Sequence, residues 1–203
     1  QTDVIDVWQF HEINYDNDPQ WLFRTGGAIE AAVAAQQAGK VRFLGFTGHK
    51  SPHILKELLE LDFPWDTCQV PTNVMDYHFR SFTKEILPLA ADRGMGVIGM
   101  KSLGGDAQII EGAGLTAQEC RNYALSLPIS TLVCGMESEA NILQDVEIAR
   151  NFQPLTEQQL GELRARVKDE ATDGRYEWFK TTQYYDSKVH RVQHGFPEEL
   201  PKR

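Results

Sequence analysis

The chain has 203 residues, 41% hydrophobic and 24% charged, the proportions of an ordinary globular domain. A net charge of −9 and a pI near 5.1 argue against a sequence-independent phosphate binder, whose footprint is basic, so no nucleic-acid partner is expected. No apolar stretch approaches the roughly 20 residues of a membrane span, so no membrane contact is expected either.

The chain opens on an apolar run, Val4 to Phe10, that ends at His11. Glu12 to Thr25 reads as a polar loop, with Asp16-Asn17-Asp18-Pro19 as its turn signal. A helix is predicted from about Gly27 to Ala38, with Ile29, Ala32, Val33 and Ala35 inward and Gly39 placed to end it. A second strand, Val41–Thr47, follows at once. Ser51-Pro52 supplies an N-cap and a first-turn proline for a helix over Pro52–Leu61. The third strand is Thr67–Pro71, followed by a loop to Phe79. A helix from about Ser81 to Arg93 is expected to kink at Pro88. Gly94 and Gly96 bracket the turn into a fourth strand, which ends near Met100-Lys101, and Asp106–Gly114 reads as a Gly-rich loop. Thr116 and Glu119 form a capping-box pattern for a helix to Leu127, and Ile129–Cys134 is the fifth strand. A helix over about Ser138–Arg150 and another, capped at Thr156 and Gln159 and running to Ala171, complete the regular elements. The tail from Thr172 is aromatic and charged, with Tyr176, Trp178, Phe179, Tyr184 and Tyr185, and is expected to lie on the surface over the strand ends.

Each strand run is short and apolar, the pattern of strands buried on both faces of a parallel sheet. The strand ends at His11, Thr47, Gln69, Met100 and Cys134 recur at about the length of one βα unit, ~30 residues. An eight-unit barrel needs about 250 residues. The expected fold is therefore α/β, a (β/α)8 TIM barrel represented by its strands 4–8. An open doubly wound sheet competes, weakened because no GxGxxG follows a strand. Residues 1–155 are taken as the barrel part and 156–203 as a helix and tail packed on it. Cys68, Cys120 and Cys134 show no CxxC spacing, which suits a reducing compartment and a cytoplasmic location and argues against structural zinc; no metal site is expected. Gln1, not Met, opens the chain, so this expectation does not extend to any leader.

Five segments in order resemble the aldo-keto reductases. Asp3-Val-Ile-Asp6-Val-Trp-Gln-Phe-His11 resembles the family's fourth strand, Gly39 to Thr47 its fifth, Gln69-Val-Pro-Thr-Asn73 its sixth, and Gly96 to Gly104 its seventh. Gly135 to Asp145 resembles its eighth-strand loop and helix, and the tail a bacterial subgroup with long C-terminal extensions. The resemblance covers residues 1 to about 150. It implies an NAD(P)H-dependent oxidoreductase that reduces small aldehydes or ketones to alcohols by hydride transfer.

A carbonyl reductase needs a group that orients the substrate oxygen and stabilises charge on it, and His11 is the catalytic candidate. A core histidine bonded to a backbone carbonyl is the bland reading. For the nicotinamide, Thr47 and Gln69 offer donor and acceptor, and Met100 stands where relatives carry a stacking aromatic. The family's Ser-Asn pair after the fifth strand is Thr47-Gly48 here, so the amide is lost; Asn73 or His49 could replace it. Lys101, Ser102 and Leu103 fall where the family contacts pyrophosphate. Gly135, Glu137, Ser138 and Asn141 form the turn that meets the adenosine ribose, and Gln144 and Asp145 the adenine positions. That turn carries no cation, and its carboxylates would repel a 2′-phosphate, so NADH is expected over NADPH.

The family's proton-donor tyrosine, its lysine and its aspartate belong to the first three strands; no tyrosine here has that context, and Tyr77 falls in a loop. The expectation is a truncated piece of an enzyme, inactive alone. A naturally short, non-catalytic partner or cofactor-binding subunit is one alternative. A metal-dependent barrel hydrolase using His11, Glu12, His49, Asp76 and His78 is a remote one, without HxH or HExxH spacing. Neither the carbonyl substrate nor the oligomeric state is legible.

Overall fold

The computed structural model describes residues 2–201, and Gln1, Lys202 and Arg203 lie outside them. Five strands, β1 (Ile5–Phe10), β2 (Val41–Thr47), β3 (Thr67–Pro71), β4 (Gly96–Met100) and β5 (Thr131–Leu132), pair in chain order as one sheet, every pair parallel. The sheet is a partial barrel wall. Each strand is followed by helix: α1 (Asp18–Phe23) and α2 (Ala28–Gln37), α3 (Pro52–Glu60), α4 (Phe82–Glu85) and α5 (Leu87–Asp92), α6 (Gln108–Gly112) and α7 (Ala117–Leu125), and α8 (Glu139–Arg150). Beyond them come α9 (Glu157–Ala171), α10 (Trp178–Thr181) and α11 (Lys188–Gln193). No helix among the described residues is long and apolar enough to cross a membrane.

Alternation along the strands splits the wall into two faces. Leu44, Phe46, Cys68, Val70 and Val97 point to the convex face, where they are buried under Ile54, Leu55, Leu58, Ile86 and Leu87 from the helices. Burial pushes the Cys68 thiol up to about 12, so this cysteine is inert packing. The concave face corrects the expectation of burial on both sides. It carries Gln9 and Thr67, hydrogen-bonded at 3.5 Å, and leaves Ile5 54% and Val133 50% exposed. A five-strand wall covers its own outside with helices but does not close over its inside. Gly45 sits in that inner row because a Cβ there would stand 2.0 Å from Thr67 Oγ1.

Local signals act as expected where they are complete. Thr116–Glu119 and Thr156–Gln159 each make both hydrogen bonds of a capping box, and the helix containing Pro88 breaks into α4 and α5 at Ile86. Three expectations need correction. The loop after β1 contains α1, because Pro19 seats in its first turn and Asp18 accepts the N–H groups of Asn14 and Tyr15, both at 2.8 Å. The Gly-rich loop contains α6. The fifth strand shrinks to Thr131–Leu132.

The tail reaches the strand ends as expected, but it is not merely superficial. Phe179 and Lys180 are fully buried, with Glu177 beside them. Lys180 Nζ donates to Asp76 Oδ1 at 2.7 Å, the Phe79 carbonyl at 2.7 Å and Glu177 Oε2 at 3.0 Å, which uses all three of its protons. Asp76 in turn accepts the N–H groups of Phe82 and Thr83, fixing the start of α4. Asn73 Nδ2 donates to the other Glu177 oxygen at 3.0 Å. Burial, with Asp76 nearby, raises the Glu177 carboxyl from 4.5 to about 7, although Lys180 pulls the other way. The folded state therefore holds a proton that the unfolded chain has released between about pH 4.5 and 7, so stability falls as pH rises through that window. Glu177→Gln should flatten this fall, read as urea midpoints at pH 5 and pH 7.5. An unchanged midpoint difference in the variant would refute it.

Candidate active site

The carboxyl ends of β1 to β4 bring His11, Thr47, Gln69, Met100 and Lys101 around one cavity of about 330 Å³, joined by Glu12, His49 and Tyr185. Glu12 turns the chain with φ +61°, its N–H donates to Thr47 Oγ1 at 3.0 Å, and its carboxylate accepts the Ser187 N–H at 2.9 Å. Thr47 is thus held as an acceptor while its own hydroxyl proton stays available. Gln69 Nε2 lies 3.6 Å from Met100 Sδ, which ties the two adjacent strand ends. His11 is exposed and makes no hydrogen bond to another described residue. The core-histidine reading therefore fails.

His49 is buried against Asn14 Nδ2 and Asp186 Oδ1, each 3.2 Å from its Nε2, and burial lowers its pKa despite Asp186. Asp186 also accepts from the Tyr15 hydroxyl at 2.8 Å and pairs with Lys50 at 2.9 Å. Lys101 Nζ stands 5.0 Å and 4.8 Å over the rings of Phe179 and Tyr185, and burial lowers its pKa as well. The tail thus brings the Tyr185 ring to the cavity, with buried Phe179 behind Lys101.

A second, larger cleft of about 630 Å³ continues from the first, sharing Gln69, Met100 and Lys101. Ser102 and Leu103 line it after β4. Gly135, Glu137, Asn141, Gln144 and Asp145 line it from the turn and first half of α8. Of the residues predicted for the cofactor, Thr47 lies in the smaller cavity and Ser138 in neither. Ser138 instead caps α8, accepting the Asn141 N–H at 3.2 Å. Asn73 lies in neither cavity, because both ends of its amide are bonded inside the Glu177 cluster.

Arg121 is the residue that sequence reasoning missed. It leaves α7 buried, takes Asp145 with Nε–Oδ1 at 3.0 Å and Nη2–Oδ2 at 3.1 Å, and hydrogen-bonds Ser102 Oγ through Nη1. An arginine on the inward stripe with Cys120 and Ala124 was the available signal. Its charge does enter the cleft, but Asp145 neutralises it.

Of the five residues of the metal-hydrolase reading, His11, Glu12 and His49 line the smaller cavity, but Asp76 and His78 do not. Asp76 is consumed by Lys180, and His78 Nε2 bonds the Arg164 carbonyl at 2.8 Å. Tyr77 is half-buried, its ring facing the Lys84 ammonium at 4.5 Å and the Arg164 guanidinium at 4.3 Å.

The donor set of the cleft suits a dinucleotide. Its volume lies within the roughly 300–1,000 Å³ of small-molecule sites. Lys101 and Ser102 stand near its middle beside Gly104 and Gly105, whose φ of +84° and +133° only glycine adopts easily. The Glu137 carboxylate and the Asn141 and Gln144 amides lie at the α8 end.

Parallel βα units whose strands pair in chain order without a reversal, with a site at their carboxyl ends, form part of a (β/α)8 barrel rather than an open doubly wound sheet. The family model for the aldo/keto reductase family matches residues 1–108, more than half of the chain, and the chain belongs to that family. Its fold is similar to that of the aldo-keto reductase AKR11C1 from Bacillus halodurans, at 18% identity and a TM-score of 0.62, covering 87% of this chain and 63% of that one. It is also similar to the glycerol dehydrogenase AKR11B4 from Gluconobacter oxydans, at 17% identity and a TM-score of 0.57, covering 84% of this chain and 61% of that one. The chain thus spans less than two thirds of the length of these structures. No curated protein matches it in sequence.

Proposed function

We propose that the protein is an NAD(P)H-dependent oxidoreductase that reduces small aldehydes or ketones to alcohols, with His11 at the reacting end. The observation that carries this reading is the continuity of the two cavities: the larger one runs to Gln69, Met100 and Lys101, which it shares with the cavity that His11 lines. When bound, the cofactor supplies the hydride that reaches the carbonyl carbon. His11 orients the carbonyl oxygen and stabilises the charge that develops there. Thr47 and Gln69 hold the nicotinamide carboxamide, and Met100 covers the ring. Lys101, Ser102 and Leu103 take the pyrophosphate. Gln144 takes the adenine, since Asp145 is committed to Arg121. The Tyr185 ring covers this end against water. In this reading residues 1–155 are the barrel part and 156–203 its cover. Proton transfer in the resembled family falls to a tyrosine on a strand ahead of the segment ending at His11. We therefore assign carbonyl reduction to a polypeptide carrying that tyrosine, and cofactor binding to the residues described here.

Glu137 lines the α8 end of the cleft and repels a 2′-phosphate, so NADH should bind at least about ten-fold more tightly than NADPH, a difference of about 1.4 kcal/mol. Titration of the protein with each cofactor, followed by reduced-nicotinamide fluorescence, tests this. Glu137→Arg should reverse the order. Binding of neither cofactor by folded protein sinks the functional reading. A preference for NADPH sinks only the assignment to Glu137.

A further inference from the structure

We propose that Asp18, His190 and His194 form a binding site for one divalent metal ion of the zinc class, which straps the C-terminal tail to the segment after β1. His190 in α11 and His194 at its C-cap stand four residues apart, so their imidazoles share one side of the helix. That side faces the start of α1. His190 Nε2 lies 3.0 Å from Asp18 Oδ1, His194 Nε2 lies 2.9 Å from the same oxygen, and the two nitrogens lie 3.1 Å apart.

This triangle is awkward for hydrogen bonds alone. An imidazole nitrogen either carries a proton or accepts one. If both nitrogens donate to Asp18, two N–H groups face each other at 3.1 Å. If either lacks its proton, its lone pair faces the carboxylate oxygen or, with Asp18 protonated, the third side has no linear hydrogen bond. No distribution of protons serves all three sides. A cation at the centre serves all three, because three lone pairs then converge on it. Tetrahedral zinc, with bonds of about 2.0–2.1 Å, sets its ligands about 3.3 Å apart. The three atoms need to spread by only a few tenths of an ångström.

The surroundings are those of a held ligand set. Asp18 Oδ2 is occupied by the Asn14 and Tyr15 N–H groups, which leaves Oδ1 for the cluster. Glu12 Oε2 stands 3.7 Å behind His190 Nδ1, where an outer carboxylate orients a metal-bound histidine. That Nδ1 is buried without a hydrogen-bond partner. Tyr15 and Trp21 lie against the His194 ring with centroids at 4.3 and 4.6 Å, which fixes its plane. The side chains of Asp18 and His194 are 7% and 4% exposed and that of His190 is 16%, leaving the fourth position to water. Two imidazoles and one carboxylate select a borderline ion such as Zn²⁺, whereas Ca²⁺ and Mg²⁺ favour all-oxygen shells.

The test is a Co²⁺ titration of the untagged, metal-free chain, read in the visible d–d bands of tetrahedral cobalt, followed by competition with Zn²⁺. One equivalent of Co²⁺ should saturate the bands and Zn²⁺ should remove them. Asp18→Asn and His194→Ala should each weaken Zn²⁺ binding more than about ten-fold, as loss of a ligand requires. His53→Ala removes an exposed imidazole paired with Asp16 and should change nothing. Circular dichroism shows that each protein is folded. Folded wild type without cobalt bands overturns the proposal. So do bands that survive both ligand substitutions, or bands lost with His53. Should a ligand variant fail to fold, the wild-type stoichiometry, together with a Zn²⁺-induced rise in melting temperature, decides the matter.

Discussion

Lys180→Met should destabilise the protein by about 3–5 kcal/mol, the usual cost of removing one partner from a buried ion cluster. The side chains of Lys180, Asp76 and Glu177 are all completely buried, so the change removes the ammonium that both carboxyl groups share and leaves them without water. The methionine fills nearly the same volume, so the loss is electrostatic rather than a cavity. Urea unfolding at pH 7.5 should read the full cost. At pH 5 the loss should shrink, because the Glu177 carboxyl, raised to about 7 by burial even beside the lysine, then holds a proton with or without Lys180. A loss of under about 1 kcal/mol at pH 7.5, the range of an exposed pair, would show that the cluster is hydrated in solution.

Arg121→Met should cost about 3 kcal/mol, at the lower end for a broken buried pair because Asp145 borders the open cleft. The side chains of Arg121 and Asp145 are 5% and 8% exposed, and the bidentate geometry is the stronger form of this pair. The same substitution releases Ser102, so NADH affinity should also fall by about ten-fold, or 1.4 kcal/mol. Adding Asp145→Asn removes the stranded charge. The double variant should therefore regain part of the stability but none of the Ser102 positioning. Recovery of stability and affinity together would mean that Arg121 acts on the cleft through charge alone.

What was legible in the sequence was what short spacing encodes. Strand ends at His11, Thr47, Gln69 and Met100 follow from apolar runs that stop at polar residues, and parallel pairing in chain order then gathers them. The two capping boxes and the break near Pro88 need only four residues each. The second half of β5 was overread, since Val133 and Cys134 have strand-like side chains but the paired register ends at Leu132. The concave face was misjudged because an apolar run does not say which side a helix will cover. Arg121, Lys180 and the His190–Asp18 contact were illegible for a common reason. Each has a partner across a separation that no local pattern records, 24 residues for Arg121 and Asp145, 104 for Lys180 and Asp76 and 172 for His190 and Asp18.

Residues 177–187 supply the roof of the smaller cavity, the lock on Asp76 and the hydrogen bond to Glu12. During synthesis these residues emerge after every strand they bridge. Parallel pairing is slow to form, and the nascent sheet meanwhile shows its strand ends uncovered. The site therefore gains its cover only after all five strands have left the ribosome, and a chain stopped ahead of residue 177 would lack Tyr185 over the cavity and the Ser187 hydrogen bond to Glu12.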